Sequence, residues 1–302
     1  MPLPIINFGS CCIDHVYSVD HFVHPGETLP CAHYEVHPGG KGLNQSIALA
    51  KAGAQVVHAG RIGQDGTWLS NLLRAHKVDT HLLLVDEDPT GHANIQVSDS
   101  GENAIVLFGG ANRKITPDDV DLVLAEAQRG QFILLQNEIS SLDYLVEQAL
   151  KKDLRVVLNA APMGNNIKEL PLTDLDLLFI NEIEGEALTG ATEPEGILNI
   201  LKASIPDTGV VLTLGQQGSI YQRGEVQTEQ RSALVDVVDS TGAGDTFTGF
   251  FLASYQREVS IQDCLRSASL AAGISVTRKG AASSIPETRE LDNAVQSLTA
   301  RS

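Results

Sequence analysis

Between Val238 and Phe251 the chain reads VDSTGAGDTFTGFF, placing two glycines and an aspartate directly ahead of a run of phenylalanines. Glycine at a strand-to-helix junction leaves backbone N–H groups free to face a ligand, and the start of a helix favours negative charge. Gly242, Ala243 and Gly244 would then form a hole for charge developing on a phosphoryl group, with Asp245 beside it able to accept a proton from a hydroxyl. A carboxylate and an anion repel unless some group lies between them, and a substrate alcohol attacking a phosphate is such a group. Phosphoryl transfer needs little beyond positioning, charge stabilisation and a base for the nucleophile. A bland alternative stays open here, in which Asp245 is a helix N-cap and Gly242 and Gly244 make a tight turn.

Further clusters of polar residues and glycines follow apolar runs. GSCCID (9–14) carries Cys12 and Asp14, and HPGGKGLNQS (37–46) carries Gly40, Lys41 and Asn44. LLQNEIS places Glu138 after a third run, FINEIEGE places Asn181 and Glu184 after a fourth, and TLGQQGS contains Thr213, Gly215 and Gly218. A single glycine-rich turn is more often a capping device than a ligand loop. Six clusters at strand ends, where open α/β sheets bind ligands, point jointly to a site. Neither nucleotide fingerprint fits: GGKGLN lacks the Lys-Ser/Thr ending of a P-loop, and GAGDTFTG lacks the third glycine spacing of a dinucleotide site.

The elements that must position these residues are short runs rich in Val, Ile and Leu: 4–8, 55–60, 131–136, 154–160, 175–181 and 209–215. They are apolar on successive residues, as parallel strands buried on both faces are. Helical patterns lie between them at 43–53, 141–153 and 195–204, and three more helices are predicted within 245–257, 260–277 and 286–299. The alternation predicts an α/β fold in three layers, with a mostly parallel central sheet flanked by helices. Segments 14–22 and 32–37, with a hairpin over 92–110 turning at Asp99-Ser100-Gly101, break the rhythm and predict a small β-sheet lid. His33 and His37 have helical spacing for a metal, but their segment reads as a strand.

With 38 acidic against 21 basic residues the chain carries a net charge of −17, which argues against nucleic-acid and anionic-membrane surfaces. Four cysteines, Cys11, Cys12, Cys31 and Cys264, show no paired zinc spacing and read as reduced thiols in a cytoplasmic protein. The N-terminus lacks the basic region of a signal peptide, and no apolar run reaches the roughly 18 residues of a membrane span.

The stretches GGKGLNQS and VDSTGAGDTFTGFF, together with PGETL (25–29), IGQDG (62–66), GGAN (109–112), LNAAP (158–162), NEIEGEALTG (181–190) and ISVTRKGAASSIP (274–286), resemble the ribokinase/phosphofructokinase-B family of sugar kinases over essentially the whole chain. The resemblance implies a single sugar-kinase domain over 1–302, with lid strands from about 14–37 and 92–108. It implies ATP-dependent phosphorylation of the 5-hydroxyl of a pentose, D-ribose first, with 2-deoxyribose, another sugar or a nucleoside as alternative acceptors and a catalytically dead sugar-binding regulator as a third reading. By the same resemblance Asp245 is the base and Gly242 to Gly244 the anion hole, while Cys12, Asp14, Gly40, Lys41, Asn44 and Glu138 face the sugar. Asn181 and Glu184 match a motif tied to Mg²⁺ and phosphate, Thr213, Gly215 and Gly218 the nucleotide turn, and Ser269 falls near the adenine. A K⁺ site is implied at Asp239, Thr241, Ser275, Arg278, Gly280 and Ser284, as is a homodimer through the lid. Cys12 departs from the family pattern, which has Asn there; a thiol is a poor hydrogen-bonding partner for a sugar hydroxyl.

Overall fold

The computed structural model describes residues 2–299. In chain order the strands are β1 (Ile5–Phe8), β2 (Cys12–Val19), β3 (His33–Gly39), β4 (Val56–Gly63), β5 (Leu83–Asp86), β6 (Gly91–Ser98), β7 (Asn103–Phe108), β8 (Phe132–Gln136), β9 (Arg155–Asn159), β10 (Leu177–Asn181), β11 (Gly209–Thr213), β12 (Ser219–Arg223) and β13 (Val226–Gln230). The helices are α1 (Lys41–Lys51), α2 (Thr67–Ala75), α3 (Pro117–Glu126), α4 (Leu142–Lys151), α5 (Glu182–Thr189), α6 (Pro194–Ser204), α7 (Ala243–Gln256), α8 (Ile261–Ser275) and α9 (Thr288–Thr299). No described helix is long and apolar enough to cross a membrane.

The six apolar runs all become strands of one nine-stranded sheet, ordered β13-β12-β11-β10-β9-β8-β1-β4-β5. It is parallel except for β12, which runs antiparallel to both its neighbours. Successive strand residues go to opposite faces and are buried on both. Ile5, Leu134, Val157 and Leu177 join one core with residues of α1, α2, α7 and α8, whereas Ile6, Leu135, Val156 and Leu178 join the other with residues of α3, α4 and α6. This is why the runs lack alternation. Strands β12 and β13 at one end of the sheet carry no such run in the sequence, because YQR and QTEQ are polar.

A separate four-stranded sheet has the order β3-β2-β6-β7, with β2 and β6 parallel and the outer pairs antiparallel. The hairpin turns where it was expected, with Gly101 N–H bonded to Ser98 O (2.8 Å). Its outer strands are poorly covered: Tyr34, Val36, Ile105, Val106, Leu107 and Phe108 are all exposed.

Two features of the large sheet create a place for a site. The strand order reverses between β1 and β8, and the loops that follow such neighbours open a crevice at the carboxyl edge. Helices α1 and α7 also pack side by side in the same direction. A Cβ at Gly249 would lie 2.4 Å from Ala48 Cβ and 2.8 Å from Leu49 N, so a glycine is what permits their approach. One turn earlier on each helix, Asp245 meets Asn44 and Gln45. Both N-termini thus point at the same crevice, and their partial positive charges add there.

Candidate active site

The aromatics of the VDSTGAGDTFTGFF stretch anchor α7. Phe247, Phe250 and Phe251 are buried, and Phe251 stacks on Phe247 and Tyr255 and meets Phe179 edge-on. The capping alternative for Asp245 is overturned. Gly242 is the N-cap residue, in a left-handed conformation (φ 73°), and no side chain caps the helix. The Asp245 carboxylate instead accepts from Asn44 Nδ2 at Oδ2 (3.0 Å) and from Gln45 Nε2 at Oδ1 (2.8 Å). A Cβ at Gly242 would strike Ala281 (2.9 Å), whereas one at Gly244 would meet nothing within 4 Å, leaving open space over the helix start.

Across the crevice, the β1–β2 connection and the loop after β8 come together. Ser10 Oγ and the Lys41 N–H (2.9 Å) both donate to Glu138 Oε2, which sets a carboxylate on the N-terminus of α1. Gly40 (φ 93°) allows this, since a Cβ there would lie 2.9 Å from Cys12 N and Ser10 O. The Lys41 ammonium stands among carboxylates. Asp245 raises its pKa above the usual lysine value against the effect of burial, with Glu138 and Glu184 adding to the rise.

Asp14 and Cys12 reach the crevice from β2. Burial and then the charge of Glu138 push the Asp14 carboxyl up to about 6, His37 across the strand pair partly offsetting them. Its oxygens accept no hydrogen bond among the described residues. Burial, with Glu138 and Asp14, pushes the Cys12 thiol well above its usual range, so it is neutral. Asn112 holds it: Asn112 Nδ2 donates to Cys11 O (2.9 Å) and weakly to Cys12 Sγ (3.5 Å), and its Oδ1 accepts from Cys11 N–H (3.1 Å).

Asn181 and Glu184 have a structural duty that spacing alone left undecided. Asn181 Oδ1 accepts from the Glu184 N–H (2.9 Å) and Glu184 Oε2 from the Asn181 N–H (2.6 Å), a reciprocal capping box for α5. Glu184 Oε1 accepts nothing among the described residues, so an oxygen of this buried carboxylate is left for a hard cation such as Mg²⁺, and the residues fit that ion. Strand register sets Asn181 opposite Thr213, where the turn through Gly215 (φ 53°) and Gly218 (φ 115°) begins. A Cβ at Gly215 would meet nothing within 4 Å, whereas one at Gly218 would strike Gln230 O. Ser269 lies buried on α8, one turn before Gly273, against which the 231–241 loop packs through Ala233. No hydrogen bond joins it to the other site residues among those described.

The remaining cluster ties two loops beside the α7 N-terminus. Asp239 Oδ1 accepts from Thr241 N–H (2.9 Å) and Oγ1 (2.6 Å), and its Oδ2 from Gly280 N–H (2.8 Å). Burial opposes ionisation of Asp239, but these hydrogen bonds outweigh it and hold its pKa below the usual value. Ser275 O accepts from Arg278 N–H (3.0 Å), and Ser284 O weakly from Arg278 Nη1 (3.5 Å). Each carbonyl keeps a second lone pair, so the oxygen-only donor set fits K⁺ mainly through carbonyls, with the Asp239 carboxylate fixing the loops. His33 and His37, four residues apart on β3, are too far apart along a strand to share an ion.

Residues the sequence reading passed over are Ser10, Asn112 and above all Gln45. All three sit inside the motifs GSCCID, GGAN and GGKGLNQS, and Gln45 carried a signal: with Asn44 and Ser46 it forms a polar triplet ahead of the apolar residues of α1, all buried.

The description "pfkB family carbohydrate kinase" matches residues 4–288. Over 291 residues the chain is 38% identical to a ribokinase of Haemophilus influenzae, covering 93% of this chain and 95% of that one. It is 29% identical to a deoxyribokinase of Salmonella typhi, covering 96% and 98%. The structure of Arabidopsis thaliana ribokinase complexed with ribose and ATP superposes with a TM-score of 0.87 at 31% identity, covering 97% of this chain and 98% of that one.

Proposed function

Because the chain belongs to the pfkB family of carbohydrate kinases, we propose that it is an ATP-dependent sugar kinase that phosphorylates the 5-hydroxyl of D-ribose. The observation that carries this reading is the placement of Asp245. Its carboxylate is held at both oxygens in the first turn of α7, beside the open space over Gly244 and facing the Lys41 ammonium. In the reaction Asp245 takes the proton of the sugar hydroxyl as the O5–phosphorus bond forms and the bond to the bridging oxygen of ADP breaks. The N–H groups of Gly242 and Gly244, joined by that of Ala243 when it leaves the Ser240 carbonyl (3.2 Å), stabilise charge on the phosphoryl oxygens, and Lys41 balances the incoming negative charge. Asp14, Glu138, Gly40, Asn44 and Cys12 face the sugar. Thr213, Gly215, Gly218 and Ser269 line the nucleotide.

Asn181 and Glu184 would hold Mg²⁺, which when bound neutralises phosphate charge. Carbonyls of Asp239, Thr241, Ser275, Arg278, Gly280 and Ser284 would hold K⁺ and order the loops behind the anion hole. We further read residues 1–302 as one catalytic unit with lid strands from 14–37 and 92–108, forming a cytoplasmic homodimer through the second sheet. The exposed apolar side chains of β3 and β7 support the dimer, and four free cysteines are in keeping with a reducing compartment.

Cys12 favours a second acceptor, 2-deoxyribose. Its neutral thiol already receives Asn112 and offers a sugar hydroxyl little. ADP release measured with ribose, 2-deoxyribose, nucleosides and hexoses decides between them, with ribose expected to show the highest kcat/KM. Asp245→Asn should retain ribose binding by calorimetry and lose turnover; near-normal turnover would sink Asp245 as the base.

A further inference from the structure

Behind Asp245 runs a chain of buried amides that starts on a group able only to accept. Asn7 Nδ2 donates to the Gly42 carbonyl (2.7 Å) and to Ser46 Oγ (2.7 Å), so Asn7 Oδ1 must face the other way. Gln136 Nε2 donates to that Oδ1 (2.9 Å) and also to Gln45 Oε1 (2.7 Å). Gln45 is thereby obliged to present Nε2 to Asp245 Oδ1. Asn7, Gln45 and Gln136 are each 0% exposed, so water cannot repair a flipped amide. Flipping any of them would set oxygen against oxygen. On the far side Ser46 Oγ meets His58 Nδ1 (2.8 Å); burial pushes His58 down to about 3, so this end brings in no charge.

Asn44 differs. It donates Nδ2 to Asp245 Oδ2, yet its own Oδ1 has no partner among the described residues, so nothing behind it fixes its orientation. The two oxygens of the base are therefore not equivalent.

We infer that Gln45 is a positioning residue for the phosphoryl-transfer reaction. Backed by Gln136 and Asn7, it holds Asp245 Oδ1 permanently as an acceptor and leaves Oδ2 as the oxygen that takes the substrate proton. The inference rests on Asp245 being the base. The charged group facing Asp245 is Lys41, with Glu138 and Glu184 around it, and among the described residues the side chain of Gln45 hydrogen-bonds only to Asp245 and Gln136.

Gln45→Glu keeps the shape and replaces the donor by a second carboxyl, which must share a proton with Asp245. The acidic limb of the kcat/KM–pH profile should move up by about one pH unit or more, and kcat at pH 7 should fall about tenfold or more. Ribose affinity should stay within about twofold, because the inference gives Gln45 no contact with the sugar. Gln45→Met removes the donor without adding charge, and should lower kcat at unchanged KM if the glutamate variant does not fold. An unmoved pH profile in folded Gln45→Glu, or a methionine variant with wild-type kcat, overturns the role of Gln45. Asp245→Asn separates the two readings: if it stays active the base assignment fails, and if it is dead beside an unaltered Gln45→Glu only the positioning role fails.

Discussion

Asp245 and Asp14 both face the crevice, one from the core and one from the small sheet, and they are held in opposite ways. Asp245 has each oxygen bonded to a side-chain amide of α1 and lies near a lysine. Asp14 accepts no hydrogen bond among the described residues and faces the carboxylate of Glu138, which with burial raises it to about 6. The first arrangement holds both oxygens before any ligand arrives, as suits the proposed base, whose geometry at the moment of proton transfer would set the rate. The second leaves carboxylate oxygens without hydrogen-bond donors among the described residues, which suits the proposed role of meeting the hydroxyls of a sugar. On the proposed assignment the small sheet offers recognition, while the large sheet and its helices supply fixed chemistry.

Exchanging one aspartate at a time should separate these duties most sharply. Asp245→Asn should lower kcat by about 10²–10⁴-fold with ribose binding kept, and Asp14→Asn should raise KM by about tenfold with a smaller change in kcat. Steady-state kinetics with calorimetric binding checks both, and equal effects on kcat and KM in the two variants would erase the distinction.

The rigidity of the Asp245 side depends on the helix crossing. Gly249→Ala places a methyl against Ala48 and the Leu49 backbone, and should cost about 1–3 kcal/mol in denaturant unfolding. It should also slow turnover, because Asn44 and Gln45 withdraw with α1.

The pH dependence of stability tests the Asp14 side without substrate. Its folded-state pKa, about 6, lies above the ordinary 3.8, so the folded chain holds this proton more tightly than the unfolded one. The stabilising contribution is full below about pH 4 and is lost as pH rises through about 6. Asp14→Asn should therefore gain stability over the parent chain by about 1–2 kcal/mol at pH 8, once solvent screening is allowed for, and gain none at pH 4. Melting temperatures at the two pH values measure it.

The smallest effect concerns the thiol beside Asp14. Cys12→Asn should raise the preference for ribose over 2-deoxyribose in kcat/KM by about tenfold, the worth of about one hydrogen bond to a hydroxyl. An unchanged ratio would show that Cys12 does not read the sugar.

What the sequence by itself determined is local in its physics. Unbroken apolar runs between helical patterns read as strands covered on both faces, and the alternation at 92–110 as a hairpin. The glycines of VDSTGAGD marked a helix start that favours an anion, and Phe247, Phe250 and Phe251 marked its buried stripe. Tertiary structure alone decided which groups satisfy the buried polar atoms. Asp245 looked equally like an N-cap until packing across Gly249 brought Gln45, two hundred positions earlier, against it. Asn181 and Glu184 looked like ligands until the α5 backbone made them each other's caps as well. Strand and helix patterns follow from neighbours a few residues away, whereas a buried donor must find an acceptor wherever the fold has put one. That choice is made by the crossing of helices and the register of strands, which no short stretch of chain contains.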